Sequence, residues 1–225
     1  MIQSTNGHTD GHRETISRVI QRIAVDACRS RLLSGITHSA GRNRAQKILK
    51  ILRGWLPETG KILDIGTGMG YVAEAIQEAG YRVMACDIAD LCLVDLPRVL
   101  ANGTQLPFPD SLFDASLLIT VLHHLPAHLH LPVLLEGVRV LRPKGRLLIL
   151  EDTYQGSFER FITYLQDSLM NLEFIGHPHS NRDLKGWRNL INRLGLRLIH
   201  HSEFVAWFGP FRMRHAILVI ESAGV

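Results

Sequence analysis

The 225-residue sequence contains no uninterrupted apolar stretch near the roughly 20 residues that a membrane-crossing helix requires. Its opening, MIQSTNGHTDGHRE, is too polar for the apolar core of a secretion signal, so the expectation is a soluble, cytoplasmic chain with no transmembrane segment. Cysteine is scarce. Cys28, Cys86 and Cys92 are an odd number without CxxC spacing, which argues against a disulfide framework or a zinc knuckle and for buried free thiols. Metal-ligand spacing is missing as well: the histidine pairs at 123/124, 177/179 and 200/201 do not supply the i, i+4 helical face of a HExxH site, and no metal is expected.

What is present suits one well-cored enzyme-sized unit, with 46% hydrophobic residues. The net charge of +4 is unevenly placed: residues 1 to 56 hold ten Arg or Lys against Asp10, Glu14 and Asp26, a local +7 that leaves the remainder at −3. Such a basic segment suits an anionic substrate, a nucleic acid or a membrane surface, or is simply a solvated helix face. Residues 1–13 lack periodicity and read as a mobile tail. Ile16, Val19, Ile20, Ile23, Ala24 and Ala27 then recur at helical spacing, and a second helical run follows in GRNRAQKILKILRGWL, the two together forming a helical cap over residues 14–56.

After PETG the pattern alternates. KILDIG is a strand, YVAEAIQEAG a helix closed by Gly80, YRVMACD a strand, FDASLLITVL an apolar strand, PVLLEGVRVLRPKG a helix and RLLILED a strand. Strands apolar on both faces and separated by helices predict an α/β fold with a parallel sheet between helical layers. The last two strands, LRLIHHSEF and FRMRHAILVIE, are joined by VAWFGP alone, too short for a parallel crossover, so they must be antiparallel neighbours. That hairpin counts against a nicotinamide-type dinucleotide domain, whose sheet stays parallel.

The stretch ILDIGTGMGYVAEAIQEAGYRVMACD, Ile62 to Asp87, narrows the choice. A GxGxxG dinucleotide fingerprint needs Gly or Ala at its sixth position, which counted from Gly66 is Tyr71. The pattern that fits is DxGxGxG: Asp64, Gly66, Gly68 and Gly70, with Thr67 between. Together with the antiparallel final strand, it resembles the class I S-adenosylmethionine-dependent methyltransferases, in their type 11-like small-molecule form, over about residues 41 to 221. The resemblance implies a three-layer Rossmann-like sandwich with a mostly parallel seven-stranded sheet and an antiparallel last strand. It also implies S-adenosylmethionine as cofactor and S-adenosylhomocysteine as product.

The chemistry of the loop agrees. Closely spaced glycines let the backbone approach a ligand and adopt positive φ, and the amides opening the next helix face the same pocket. Asp64 beside the loop suits the ligand's ammonium, directly or through water. Asp87 at the tip of the second strand can accept both ribose hydroxyls, with Ile88 an apolar wall against the adenine. ANGTQLPFPDSLFD, Ala101 to Asp114, is similar to the family segment GDAxxLPFxDxxFD; Asn102 stands where the family commonly has Asp for the adenine amino group, and Gly103 follows it. Asp87 and Asn102 are only fifteen residues apart with Pro97 between, so the usual intervening helix is expected to shrink to a turn.

LLITVLHHLP places Thr120, His123 and His124 at the carboxyl end of a strand, where ligands of open α/β sheets sit. Thr120 is expected near the methionine end of the cofactor. His123 or His124 suits a general base toward a hydroxyl acceptor, or else a capping or buried hydrogen-bonding role. The [ND]PP[YFW] box of amino-methylating nucleic-acid enzymes is absent, which disfavours a base exocyclic amine as acceptor. Glu151 and Asp152 close the strand RLLILED; one of them could hold the acceptor or orient an imidazole, and Asp152 is the candidate for a chemical role. An insertion at about 154–180, with Phe158, Phe161, Ile162, Leu165 and Leu169 at helical spacing, is expected to be a lid. The expected activity is methyl transfer to an O, N or C nucleophile of a small molecule. The alternatives are an RNA methyltransferase using the basic helices, or a cofactor-binding protein without activity.

Overall fold

The computed structural model describes residues 34–171, 180–208 and 211–223. The expected tail, the helix near residues 16–27, Cys28 and the end of the insertion at 172–179 lie outside the described residues. The elements in chain order are α1 (Ser34–Leu52), β1 (Lys61–Ile65), α2 (Tyr71–Glu78), β2 (Arg82–Asp87), β3 (Arg98–Leu100), β4 (Phe113–Ile119), α3 (His130–Arg139), β5 (Leu141–Thr153), α4 (Gly156–Asn171), α5 (Leu184–Arg193), β6 (Arg197–Phe208) and β7 (Phe211–Glu221). They build one seven-stranded sheet in the order β3-β2-β1-β4-β5-β7-β6. All neighbours are parallel except that β7 runs against both β5 and β6. The short link before β7 forces that reversal, as expected from the sequence.

Two apolar slabs sandwich the sheet. On one face Ala45, Ile48 and Leu52 of α1 and Ala73 and Ile76 of α2 pack on Ile62, Leu117, Leu148 and Val219. On the other, Val133 and Leu134 of α3 and Trp187 and Ile191 of α5 cover Leu63, Leu118, Leu147 and Leu218. Each such fully buried side chain contributes about 1.5–3 kcal/mol of transfer free energy. Central β1 and β4 are therefore apolar on both faces, and Ser116, the buried polar exception on β4, donates its hydroxyl to Gly137 O at 2.8 Å.

α1 already includes Ser34, upstream of the Gly41 start that the sequence pattern suggests. Gly41 faces Tyr71 so closely that a Cβ there would sit 2.3 Å from the ring. A bidentate bond from Arg42 to Glu74, at 2.9 and 2.8 Å, ties α1 to α2. β5 also begins earlier than RLLILED: Leu141 pairs with Phe113 before a bulge, because Pro143 cannot continue α3 and Leu141 is buried. Residues 88–97 form no helix; Cys92, Val94 and Leu96 tuck beneath Gly70, and β3 is three residues long.

Candidate active site

The strand order reverses between β1 and β4, and their carboxyl ends open the crevice where ligands of such sheets bind. β1 delivers Asp64, 2% exposed, into the turn that follows, where its carboxylate accepts from Thr67 Oγ1 at 2.7 Å. Burial pushes the Asp64 carboxyl up to about 6, Thr67 opposes the shift and the Asp87 charge adds to it. Gly66, Gly68 and Gly70 are all left-handed, with φ of 76°, 54° and 87°. Gly66 and Thr67 both donate their N–H to Cys86 O, which pins the loop to the end of β2.

Asp87 completes that junction. Its Oδ2 accepts from Gly68 N at 2.8 Å and its Oδ1 from Ala89 N at 3.1 Å. A carboxylate has about four acceptor positions, so two remain for a ligand. A Cβ on Gly68 would meet no heavy atom within 4 Å among the described residues, which leaves open space over the loop. Ile88 is 58% exposed beside Asp87. Asn102 is exposed on the turn after β3, where its Oδ1 accepts from Thr104 N at 3.0 Å, while Gly103 packs toward Ile65 and Val133. Asp64, the glycine loop, Asp87, Ile88 and Asn102–Gly103 thus share one end of the sheet, and they fit an adenosyl amino acid: two carboxylates, a backbone free of side chains and an apolar rim. Neighbouring Cys86 is no nucleophile, since burial pushes its thiol up to about 11 with the charges of Asp87 and Asp64 adding.

The second half of the crevice belongs to β4 and β5. Thr120 has φ 55°, strained for a residue with a Cβ, and Val121 after it is right-handed. That left-then-right bend aims consecutive amides into a small concavity, an anion nest. Glu151, fully buried on β5, fills it: Oε1 accepts from Val121 N at 2.8 Å and Leu122 N at 2.6 Å. Its Oε2 accepts from His123 Nδ1 at 2.6 Å. His123 is 1% exposed, and half-buried His124 lies against its ring at 4.1 Å between centroids. The two halves touch, since a Cβ on Gly66 would meet Val121 Cγ2 at 2.6 Å.

Asp152 faces away from the two histidines of the turn. Its Oδ1 lies 2.7 Å from His215 Nδ1 of β7, directly across the sheet register. The carboxylate that orients an imidazole of the LHHL turn is Glu151. Arg44 of α1 is a further member, donating from Nη2 to Thr120 Oγ1 at 3.1 Å. Neither Arg44, in the polar run GRNRAQK, nor His215, beside Arg214, has a local sequence signal. Among the described residues no group of three His, Cys, Asp or Glu side chains is arranged to hold a metal ion, and no helix is long and apolar enough to cross a membrane.

The comparisons with known proteins agree with this geometry. A family model for the methyltransferase domain matches residues 63–149, from β1 through most of β5. The demethylmenaquinone methyltransferase of Tropheryma whipplei is 29% identical over 170 residues, 68% of either chain. The ubiquinone/menaquinone biosynthesis C-methyltransferase of Burkholderia mallei is 34% identical over 128 residues, about half the length of each protein. In fold, the chain is similar to the 1,6-didemethyltoxoflavin-N1-methyltransferase of Burkholderia thailandensis, solved with S-adenosylhomocysteine, at 15% identity, TM-score 0.62 and coverage of 99% of this chain and 93% of that one. The match over residues 63–149, on the 3-2-1-4-5-7-6 sheet and around the DxGxGxG turn, is to a methyltransferase domain and supports an S-adenosylmethionine-dependent methyltransferase.

Proposed function

We propose that this methyltransferase acts on an O, N or C nucleophile of a small molecule bound at the β4–β5 half of the crevice. The observation that carries the reading is the contact of α1 with Thr120: Arg44 of the helix reaches within a hydrogen bond of the β4 tip, and a helix so near the acceptor side favours a compact acceptor over a polymer. The relatives' printed acceptors, a quinone and a toxoflavin precursor, are also small. The basic N-terminal stretch gives less support to RNA. Of the five cations of residues 34–56, Arg42 is bound to Glu74, Arg44 to Thr120 and Lys47 to Trp207 O.

In this reading Asp64 faces the ammonium of the cofactor, the amides of Gly66 to Gly70 line its chain, Asp87 takes the ribose hydroxyls, Asn102 and Gly103 meet the adenine edge beside Ile88, and Thr120 stands at the methionine end. Bound S-adenosylmethionine supplies a methyl group already electrophilic on its sulfonium, so the protein need mainly orient the acceptor and exclude water. His124, half-buried at the crevice, accepts the proton of a hydroxyl acceptor. His123, locked to Glu151, sets the position of His124, and Asp152 with His215 forms the far wall. α4 stands just beyond the end of β5 with Phe158, Phe161 and Leu165 exposed, an apolar stripe suited to a lid.

Incubation with methyl-tritiated S-adenosylmethionine and a panel of phenols, quinols, amines and keto acids, beside total RNA, tests the reading. Label is expected in the organic fraction for at least one small acceptor. Label confined to RNA would overturn it.

Asp64 gives a second expectation. Its carboxyl, at about 6 in the free protein, is half protonated at pH 6, whereas a neighbouring ammonium favours the carboxylate. Binding should therefore release about half a proton at pH 6 and almost none at pH 8, and affinity should fall as pH drops below about 6. Titration calorimetry in buffers of different ionisation enthalpy reads this directly, and heats independent of buffer at pH 6 would show that Asp64 does not meet the ammonium.

A further inference from the structure

A cavity of about 300 Å³ lies where the end of β5 gives way to α4 and meets the start of α5 and the middle of β6. Tyr154 and Gly156 form one side of it, Asp183, Lys185 and Arg188 a second, and Glu203 of β6 a third. Glu203 is opposite Ala216 of β7, which is opposite Glu151 of β5, so Glu203 stands two strands, about 10 Å, across the sheet from Glu151. None of the residues assigned to the cofactor lines this cavity.

Four of the lining side chains are charged, two of each sign, and they do not pair with one another. Lys185 and Arg188, exposed and three positions apart on one face of α5, make no hydrogen bond or ion pair with any described residue. The acids are braced from outside the cavity. Asp183 caps α5, its Oδ1 accepting from Gly186 N at 2.7 Å. Half-buried Glu203 accepts from Thr153 Oγ1 at 3.2 Å and Gln155 Nε2 at 3.1 Å, and a carboxylate with about four acceptor positions keeps about two for a further donor.

Opposite charges that can reach each other on a surface close into weak ion pairs. Here a hollow separates them, with a fixed carboxylate on one side and a planar donor fork on the other. A lone anion entering it would meet two carboxylates, and a lone cation would meet Lys185 and Arg188. A molecule that carries both charges satisfies both sides. The volume is at the lower end of the roughly 300–1,000 Å³ of ligand pockets, which limits the occupant to a small compound.

We infer that this cavity is a second ligand site, for a small zwitterion of the α-amino acid class. The Arg188 fork and Lys185 bind its carboxylate, Glu203 accepts from its ammonium, and the Tyr154 ring gives its side chain a surface to rest on. The site is separate from the cofactor crevice, so it fills whether or not methyl transfer takes place there.

Saturation-transfer NMR on the full chain tests the assignment, with L-alanine and L-leucine as probes, each beside its N-acetyl derivative, which lacks the ammonium, and its amide, which lacks the carboxylate. Titrations run with and without saturating S-adenosylhomocysteine, whose own amino acid end is a zwitterion. At least one amino acid is expected to bind saturably in both conditions, about tenfold tighter than either of its derivatives. Arg188→Met should erase the preference over the amide, Arg188→Lys should restore part of it, and Glu203→Gln should erase the preference over the N-acetyl derivative. Circular dichroism checks that the variants fold; should Glu203→Gln not fold, Arg188→Met, at an exposed position, decides alone. No saturable binding of either amino acid, equal binding of the amino acids and their derivatives, or preferences unchanged in Arg188→Met would overturn the proposal. Loss of the signal on adding S-adenosylhomocysteine would overturn it too, because the amino acid would then occupy the cofactor crevice. A chain that binds an amino acid but no S-adenosylhomocysteine would sustain this site and overturn the reading of the crevice instead.

Discussion

Asp87→Ala is expected to weaken S-adenosylmethionine binding by about 100-fold while leaving the fold intact. In a ribose complex the carboxylate makes two charge-assisted hydrogen bonds, each worth about 1.5–3 kcal/mol, and every 1.4 kcal/mol is tenfold in affinity. The side chain is also a strut of the loop itself, because Gly68 N and Ala89 N both donate to it. Its removal therefore loosens the glycine loop as well as deleting the ribose contact, and both effects weaken binding. The strut is half-buried and its two amides can turn to water, so the cost to global stability should stay below about 1 kcal/mol. Asp87→Asn separates the contributions: the amide oxygen still accepts one hydrogen bond, but without charge, and a loss nearer tenfold is expected. Calorimetric titration with S-adenosylhomocysteine measures all three proteins. Equal affinity in wild type and Asp87→Ala would remove the acid at the β2 tip from the cofactor site, and with it the functional reading of DxGxGxG.

The candidate cofactor half was legible as a group of neighbouring residues because it is local. Asp64, the three glycines and Asp87 fall within 24 residues of one β-turn-α-β unit, where turn chemistry and strand periodicity speak for themselves. The antiparallel end of the sheet was legible for a comparable reason, a link too short for any other connection. The acceptor half was not. Arg44 and Thr120 are 76 positions apart, and their contact depends on how α1 crosses the sheet. Asp152 meets His215 only because β5 and β7 pair in the register that sets those two residues opposite each other. Glu151 and Asp152 are adjacent in sequence, yet strand alternation sends them to opposite faces, so composition alone could not say which would orient an imidazole of the LHHL turn. The turn after β4 hides a further device, since nothing in TVLHH signals a left-handed threonine.

That device makes Glu151 the residue whose loss should cost most stability. Its carboxylate sits at 0% exposure and accepts from Val121 N, Leu122 N and His123 Nδ1 at 2.6 to 2.8 Å. Glu151→Ala leaves two amides and a buried imidazole nitrogen facing a cavity. Each orphaned donor costs about 1–3 kcal/mol, and breaking such a buried arrangement costs about 3–5 kcal/mol in all. Against a total stability of about 5–15 kcal/mol, the melting temperature should fall by about 10 °C. Glu151→Gln should lose only about 1–2 kcal/mol, because its amide oxygen can still fill the nest while the contact to His123 weakens. The anion nest also explains why Thr120 tolerates a positive φ: the strain of about 1–3 kcal/mol is offset by the two amides it aims at one oxygen. Thr120→Gly should therefore keep the turn and relieve the strain, whereas Glu151→Ala should release it. If Glu151→Ala melts within about 2 °C of wild type, the turn is held by other contacts, and the placing of His124 through His123 loses its foundation.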